Sequence, residues 1–307
     1  MQTRTALTLG PVLFLWDSSH WRDFYYRIAD EADVDTVVVG EVVCSKRLHF
    51  HADLIGDVTA RLEAGGKLVR HASLALITQQ RELRALHALV DGAKSIEVGD
   101  LTGHAALLGV PHAIGPLVNV YNAPTARLLG EQGASTICLP PELSWASVEA
   151  IASAVREIAF EVFAFGRVPL AISARCAHAR IKGYTKDNCR FVCGEEPDGL
   201  EVDTLDGQRF LALNGVQTVS STVQNLIHEA ARMQSAGIAS LRLSPQACDM
   251  VQVARAFRSV LDGATEPNEA LANIRSVMGQ HSFSNGFFHG APGHAWLQTA
   301  TFVGARS

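Results

Sequence analysis

Short apolar, β-branched runs alternate with longer amphipathic stretches from one end of this 307-residue chain to the other. Parallel strands joined by crossover helices need that rhythm, because a strand covered on both faces is apolar throughout while its crossover helix hides a single stripe. Strands are predicted at residues 7–16, 36–43, 67–76, 95–98, 112–120, 135–139, 159–165 and 240–243, with a further one near 210–213. Helices are predicted between them at 21–32, 54–64, 80–91, 124–132, 147–157, 223–235 and 246–261. Gly65, Gly92, Gly133, Gly237 and Gly263 stand where helix C-caps belong.

About eight strand-helix units over this length fit an α/β fold of the (β/α)8 TIM-barrel type better than an open doubly wound sheet. A dinucleotide-binding sheet would carry G-x-G-x-x-G after its first strand, and Leu9-Gly10-Pro11-Val12 offers none. The whole chain, 1–307, is therefore read as one barrel domain. Two stretches break the rhythm. Residues 173–206, rich in charge, Gly and Cys, read as an insertion after a late strand, on the face where barrels build their sites. Residues 264–307 form a C-terminal tail, whose Asn285-Gly286-Phe287-Phe288-His289-Gly290 suggests a lid or edge contact, or a chain end tied to the barrel bottom.

Charge narrows the partners. With 26 Lys+Arg against 31 Asp+Glu the net charge is -5, and no segment has the basic excess that a phosphate backbone demands. No apolar run reaches the ~18 residues of a membrane helix, and residues 1–10 show no export signal, so a cytoplasmic location is expected. In that reducing compartment six cysteines point to metal, catalysis or buried thiols rather than disulfides.

Cys176, Cys189 and Cys193 crowd into the insertion, and Cys44 directly follows the second predicted strand, at the same end of a barrel. A local group of thiols plus one remote cysteine is a common layout for an iron-sulfur cluster. Zinc competes, although four-cysteine zinc sites are usually built from two close-spaced knuckles and only Cys189/Cys193 resembles one; unrelated free thiols are the third explanation. Arg47, Arg175, Lys186 and Arg190 would offset thiolate charge, or are ordinary solvated loop charges. Cys138, inside Ile137-Cys138-Leu139, reads as a buried hydrophobe, and Cys248 as packing.

Other polar residues say less. His228-Glu229 lacks the second histidine of H-E-x-x-H, since Arg232 stands there, and no G-x-S-x-G or P-loop occurs. His49 and His51 are either ligands or parts of a satisfied turn, the turn being the commoner case. Glu41 and Glu161 sit in predicted strands, where a buried carboxylate needs a partner; ion pairs with Lys46 or Arg175 would supply one, and a polar site is the alternative.

The segments Glu161-Val162-Phe163-Ala164-Phe165-Gly166 and Leu170-Ala171-Ile172-Ser173-Ala174-Arg175-Cys176 resemble the signature of the collagenase-like peptidase family. Similarity continues through Leu9-Gly10-Pro11-Val12-Leu13, Tyr121-Asn122, Leu139-Pro140-Pro141-Glu142-Leu143-Ser144, Leu213-Asn214-Gly215-Val216-Gln217-Thr218, Arg242-Leu243-Ser244-Pro245-Gln246 and Asn285-Gly286, nearly the whole chain. The family's usual His is replaced by Phe165 and an additional Cys by Pro169, so the generic peptidase-type site is not kept. Gly40-Glu41-Val42-Val43-Cys44-Ser45-Lys46-Arg47 supplies a fourth thiol instead.

The resemblance implies a 4Fe-4S cluster on Cys44, Cys176, Cys189 and Cys193. It also implies a paralogous partner subunit, an accessory lipid-carrier protein, and a role in oxygen-independent hydroxylation of a polyprenylated ring in ubiquinone synthesis. Hydroxylation of RNA bases, an activity of the wider family, and a non-catalytic, cluster-stapled subunit are the alternatives. Four protein ligands leave no iron open to substrate, which favours electron transfer or structural support over Lewis-acid chemistry.

Overall fold

The computed structural model describes residues 4–298. Eight parallel strands close into a barrel: β1 (Ala6–Leu9), β2 (Thr36–Val39), β3 (Leu68–Ala72), β4 (Ile96–Val98), β5 (His112–Ile114), β6 (Ala134–Leu139), β7 (Ala159–Ile172) and, much later, β11 (Ser240–Leu243), which pairs with both β7 and β1. Helices α1 (Ser18–Glu31), α2 (Leu48–His51), α3 (Ile55–Ala64), α4 (Gln80–Gly92), α5 (Leu101–Ala106), α6 (Ala123–Glu131) and α7 (Trp145–Ala154) occupy the crossovers. The α/β barrel expected from the alternation is the fold observed. Among the described residues no helix is long and apolar enough to cross a membrane.

Most barrel strands are shorter than their apolar runs. β1 stops before Gly10-Pro11, since proline has no N–H to give the ladder. β2 stops at Gly40, whose φ of +134° bends the chain away; a Cβ there would lie 3.0 Å from the Ala72 carbonyl oxygen. The residues beyond, Val12 to Trp16 and Val42 to Val43, stay buried. Val12, Phe14 and Trp16 pack into the main core while Leu13 and Val42 line the barrel mouth, so apolar character outlasts the hydrogen-bonded strand.

β7 does the opposite and overruns the barrel. At Gly166, φ +124°, a Cβ would meet the Ser244 side chain at 2.6 Å, and from here β7 trades β11 for an antiparallel partner. The insertion follows. It carries α8 (Ala177–Ile181), then β8 (Leu200–Asp203), β9 (Arg209–Asn214) and β10 (Gln217–Asn225), in the order β7-β10-β9-β8. The strand predicted near 210–213 is β9, and it belongs to this extension rather than to the barrel.

The helix predicted at 223–235 needs correction. Val223, Leu226, Ile227 and Ala230 suit helical spacing, yet Val223 and Gln224 pair with β12 (Phe283–Ser284) and with β7. Only α9 (Ala230–Ser235) is α-helical, because long-range ladder bonds override local periodicity. After α10 (Met250–Leu261), the tail contains an unpredicted helix, α11 (Pro267–Met278), with proline in its first turn and Ala270, Ile274 and Met278 buried at four-residue intervals. The rest of the tail is an edge contact: β12 extends the sheet, and the Phe288 carbonyl accepts from the Trp145 backbone. The tail's last nine residues, 299–307, lie outside the described residues.

Candidate metal centre at the barrel mouth

All four sequence-predicted thiols line one pocket between the β2–α2 connection and the insertion. Cys44 arrives on a turn held by Glu41, whose carboxylate accepts the backbone N–H groups of Val43 (2.7 Å) and Cys44 (2.9 Å). This accounts for one of the two strand carboxylates: Glu41 caps the cysteine turn and makes no ion pair with Lys46, which reaches instead to the carbonyls of Lys186 and Asp187. Burial raises the Glu41 pKa, against the lowering charge of Arg47 and those two N–H bonds.

Cys176 caps the N-terminus of α8, its Sγ accepting the Ala179 N–H at 3.4 Å. Cys189 and Cys193 bracket a tight turn in which Arg190 and Phe191 both take positive φ, 50° and 55°. Consecutive non-glycine residues in that region are strained and need outside support. Phe191 receives it from edge-to-face contacts with His49 (5.4 Å) and Phe50 (4.9 Å). His49 thus props the cysteine turn, while His51 stacks on Trp21 and hydrogen-bonds to the Trp16 carbonyl. Neither histidine lines the pocket.

Arg47 is the dominant charge of the site. It is 1% exposed, donates from Nη1 to the Leu13 carbonyl (2.9 Å) and from Nη2 to Asn214 Oδ1 (2.8 Å), and keeps a buried Nε with no partner. Lys46 and Lys186 also line the pocket; of the other expected cations, Arg190 lies over the Tyr184 ring and Arg175 faces a neighbouring cleft. Burial pushes the Cys44 and Cys176 thiols up, so their deprotonation calls for a compensating cation. Among the described residues no group of three or more His, Cys, Asp or Glu side chains is gathered tightly enough to hold a single metal ion. The donor set is all sulfur, shared round a pocket and flanked by cations, which fits a polynuclear sulfur-ligated centre.

The other two cysteines stand apart. Cys138 is buried in β6, and Cys248 precedes α10 with its Sγ 3.6 Å from Met250 Sδ; burial pushes the Cys248 thiol up to about 12.

A second polar centre lies on the barrel axis, and sequence reasoning found only one of its three members. Arg242 of β11 donates Nε to Glu161 Oε1 at 2.5 Å and Nη1 to Glu97 Oε1 of β4 at 3.0 Å, with a second Nη2 contact to Glu97. Ser240 Oγ completes Glu161 at 2.8 Å. The partner of Glu161 is therefore Arg242 and not Arg175. Burial alone would raise the Glu161 carboxyl, but the charges of Arg242 and Arg70 overcome it and hold the group well below the usual carboxylate range. A signal existed: Ile96-Glu97-Val98 and Leu241-Arg242-Leu243 each set one charge in a short apolar run, which a buried strand tolerates only when the charge is paired.

Glu97 and Arg242 form the floor of a narrow mouth cleft walled by Pro11, Leu13, Leu117, Phe163 and Pro169. Its rim is thinned by glycines; a Cβ on Gly115 would sit 3.2 Å from Glu97 Oε1.

A parallel eight-stranded barrel, with a charged floor and a thiol-lined pocket in an insertion at its C-terminal mouth, defines the class: a (β/α)8 protein with a loop-built site. The chain belongs to peptidase family U32, whose description matches residues 20–298. A solved structure titled "The Structure of the U32 Peptidase Mk0906" is similar at 15% identity, over 80% of this chain and 95% of that one, with a TM-score of 0.46.

Proposed function

We propose that this U32 member is a UbiV-like iron-sulfur protein, which works with a UbiU-like paralogue as a heterodimer in oxygen-independent hydroxylation of the ubiquinone precursor ring. A UbiT-like lipid carrier would present the polyprenylated substrate. The observation that carries the reading is the convergence of Cys44 with Cys176, Cys189 and Cys193 on one pocket, from segments more than a hundred residues apart in sequence. A mononuclear zinc site needs Zn–S of about 2.3 Å, hence sulfurs roughly 3.8 Å apart. A cluster gives each thiolate its own iron, which suits three cysteines from one loop joined by a fourth from a remote segment.

A four-thiolate cluster supplies one-electron transfer and no open Lewis-acid site. The chain's own residues do the rest. Arg47, Lys46 and Lys186 offset the thiolate charge, and the Ala179 N–H bonds to Cys176 Sγ. The mouth cleft has apolar walls, and its Glu97–Arg242 floor is paired with Glu161. The family's printed name favours hydrolysis of peptides. Against it, Glu97 and Arg242 are bound to each other, and among the described residues no histidine hydrogen-bonds to Ser73 or Ser244, the mouth's serines.

Anaerobic purification with iron and sulfide counting and an absorption spectrum tests the reading. About four irons and four sulfides per chain are expected, lost in Cys176→Ala together with ring hydroxylation in the reconstituted pair. Zinc in place of iron, or full hydroxylation by Cys176→Ala protein lacking iron, would refute it.

A further inference from the structure

Next to the thiol pocket, and sharing its wall, lies a larger open cleft. Cys176 and Lys186 line both. The cleft adds Arg175, Arg180 and Tyr184, with the Arg190 guanidinium 5.1 Å from the Tyr184 ring centroid. Asp187 is the one acid of its lining. The nearby carboxylates Glu195 and Glu196 are taken up by Lys182 and His178, so they leave the arginines unneutralised. On a chain of net charge -5 this is a local inversion of sign, placed beside the thiol pocket with Cys176 in the lining of both.

We propose that this cleft is the docking surface of a small acidic electron-carrier protein, which delivers one electron through the Cys176 wall. The inference rests on the iron-sulfur reading of the pocket. In the transfer the carrier is oxidised by one electron and the four-thiolate centre is reduced by one, with no bond formed or broken and no proton moved. Opposite charge is the device that such encounters use: it raises the association rate and orients the partner, and salt screens it within about 10 Å at 0.1 M. The basic area is small, which suits the weak redox encounters that bury less than about 1,200 Å². A nucleic acid would need basic residues tracking a phosphate backbone beyond the cleft, and the acidic remainder of the chain offers no such track.

The test uses anaerobically purified, cluster-loaded protein, mixed in a stopped-flow instrument with reduced plant-type ferredoxin as the acidic carrier or with reduced methyl viologen as a small cationic reductant. Bleaching of the cluster reports reduction, and binding of oxidised ferredoxin is titrated in parallel. The ferredoxin rate is expected to fall about tenfold or more as salt rises from low concentration to about 0.3 M. Arg175→Glu/Arg180→Glu protein should lose both that rate at low salt and ferredoxin binding, with iron content kept and the rate with cationic methyl viologen kept or raised; Arg175→Gln/Arg180→Gln should show a smaller loss of the ferredoxin rate. A loaded cluster whose reduction by ferredoxin ignores salt and both double variants overturns this proposal alone, as does RNA retention that depends on the same two arginines. Protein that binds no iron removes the cluster reading and this one together.

Discussion

Gly215 holds Arg47 in place by having no side chain: a Cβ at Gly215 would come within 2.7 Å of Arg47 Nη2, where the guanidinium bonds to Asn214. Gly215 sits in the β9–β10 turn with φ +65°, so the hairpin of the insertion and the turn after Cys44 meet at this point. The two halves of the thiol pocket are clamped together through an arginine that belongs to one and a glycine that belongs to the other.

Gly215→Ala is accordingly expected to destabilise the protein by about 1–3 kcal/mol, the cost of a left-handed backbone at a non-glycine residue, and to displace Arg47. Denaturant melts will read the stability. Iron per chain should fall with it, and an unchanged melt together with unchanged iron content would contradict the clamp.

Arg47→Gln removes a buried positive charge facing Cys193 and Cys44. The reduced form of a cluster carries one more negative charge than the oxidised form, so loss of the cation disfavours reduction. The midpoint potential of loaded Arg47→Gln protein should drop by about 60 mV, equivalent to a tenfold change for one electron. Spectroelectrochemical titration measures it; a rise in potential would contradict the assignment.

The cysteines divide cleanly. Cys189→Ala should lose most of the iron, whereas Cys138→Ala and Cys248→Ala should retain it, because neither Cys138 nor Cys248 lines the pocket. The buried Cys138 should cost on the order of 1 kcal/mol in stability through lost packing. Metal analysis of the three variants side by side decides the point.

Arg242→Met would leave Glu97 buried without its ion-pair partner and Glu161 with only the charge of Arg70, for an expected loss of about 3–5 kcal/mol. The same pairing sets an acid limit. Burial opposes ionisation of Glu161, but Arg242 first and then Arg70 lower its folded pKa below the ordinary 4.5. A depressed carboxylate stabilises the fold fully above its unfolded pKa, and that stability drains away as pH falls from about 4.5 toward the folded value. Stability measured against pH should therefore slope downward below about pH 4.5 in the wild type, and less steeply in Glu161→Gln.

The barrel was legible because its evidence is local. Most of the barrel strands are short apolar runs followed by a one-sided helix, and a single window of sequence holds both. The cysteine group was legible for a related reason, since three of its members share one loop and the fourth follows a strand. The strand at Arg209–Asn214 was visible as a strand, yet its place outside the barrel was not. Nothing within it distinguishes antiparallel pairing with Gln217–Asn225 from parallel pairing in a barrel wall. The helix Pro267–Met278 carries its proline and its apolar stripe in the local sequence, but it follows the last strand-helix unit and so lies outside the alternation that marks the barrel.

By itself, then, the sequence determined the alternation of strands and crossovers, the end of the barrel at which the insertion emerges, and the six thiols available. Tertiary structure decided which side chains meet: Arg242 with Glu97 from 145 positions away, Arg47 against Gly215, and Cys44 beside the insertion. Propensity and apolar period act between neighbours a few residues apart. Contacts across the barrel exist only once the sheet has closed, and a buried charge shows its partner only when that partner has been carried to it.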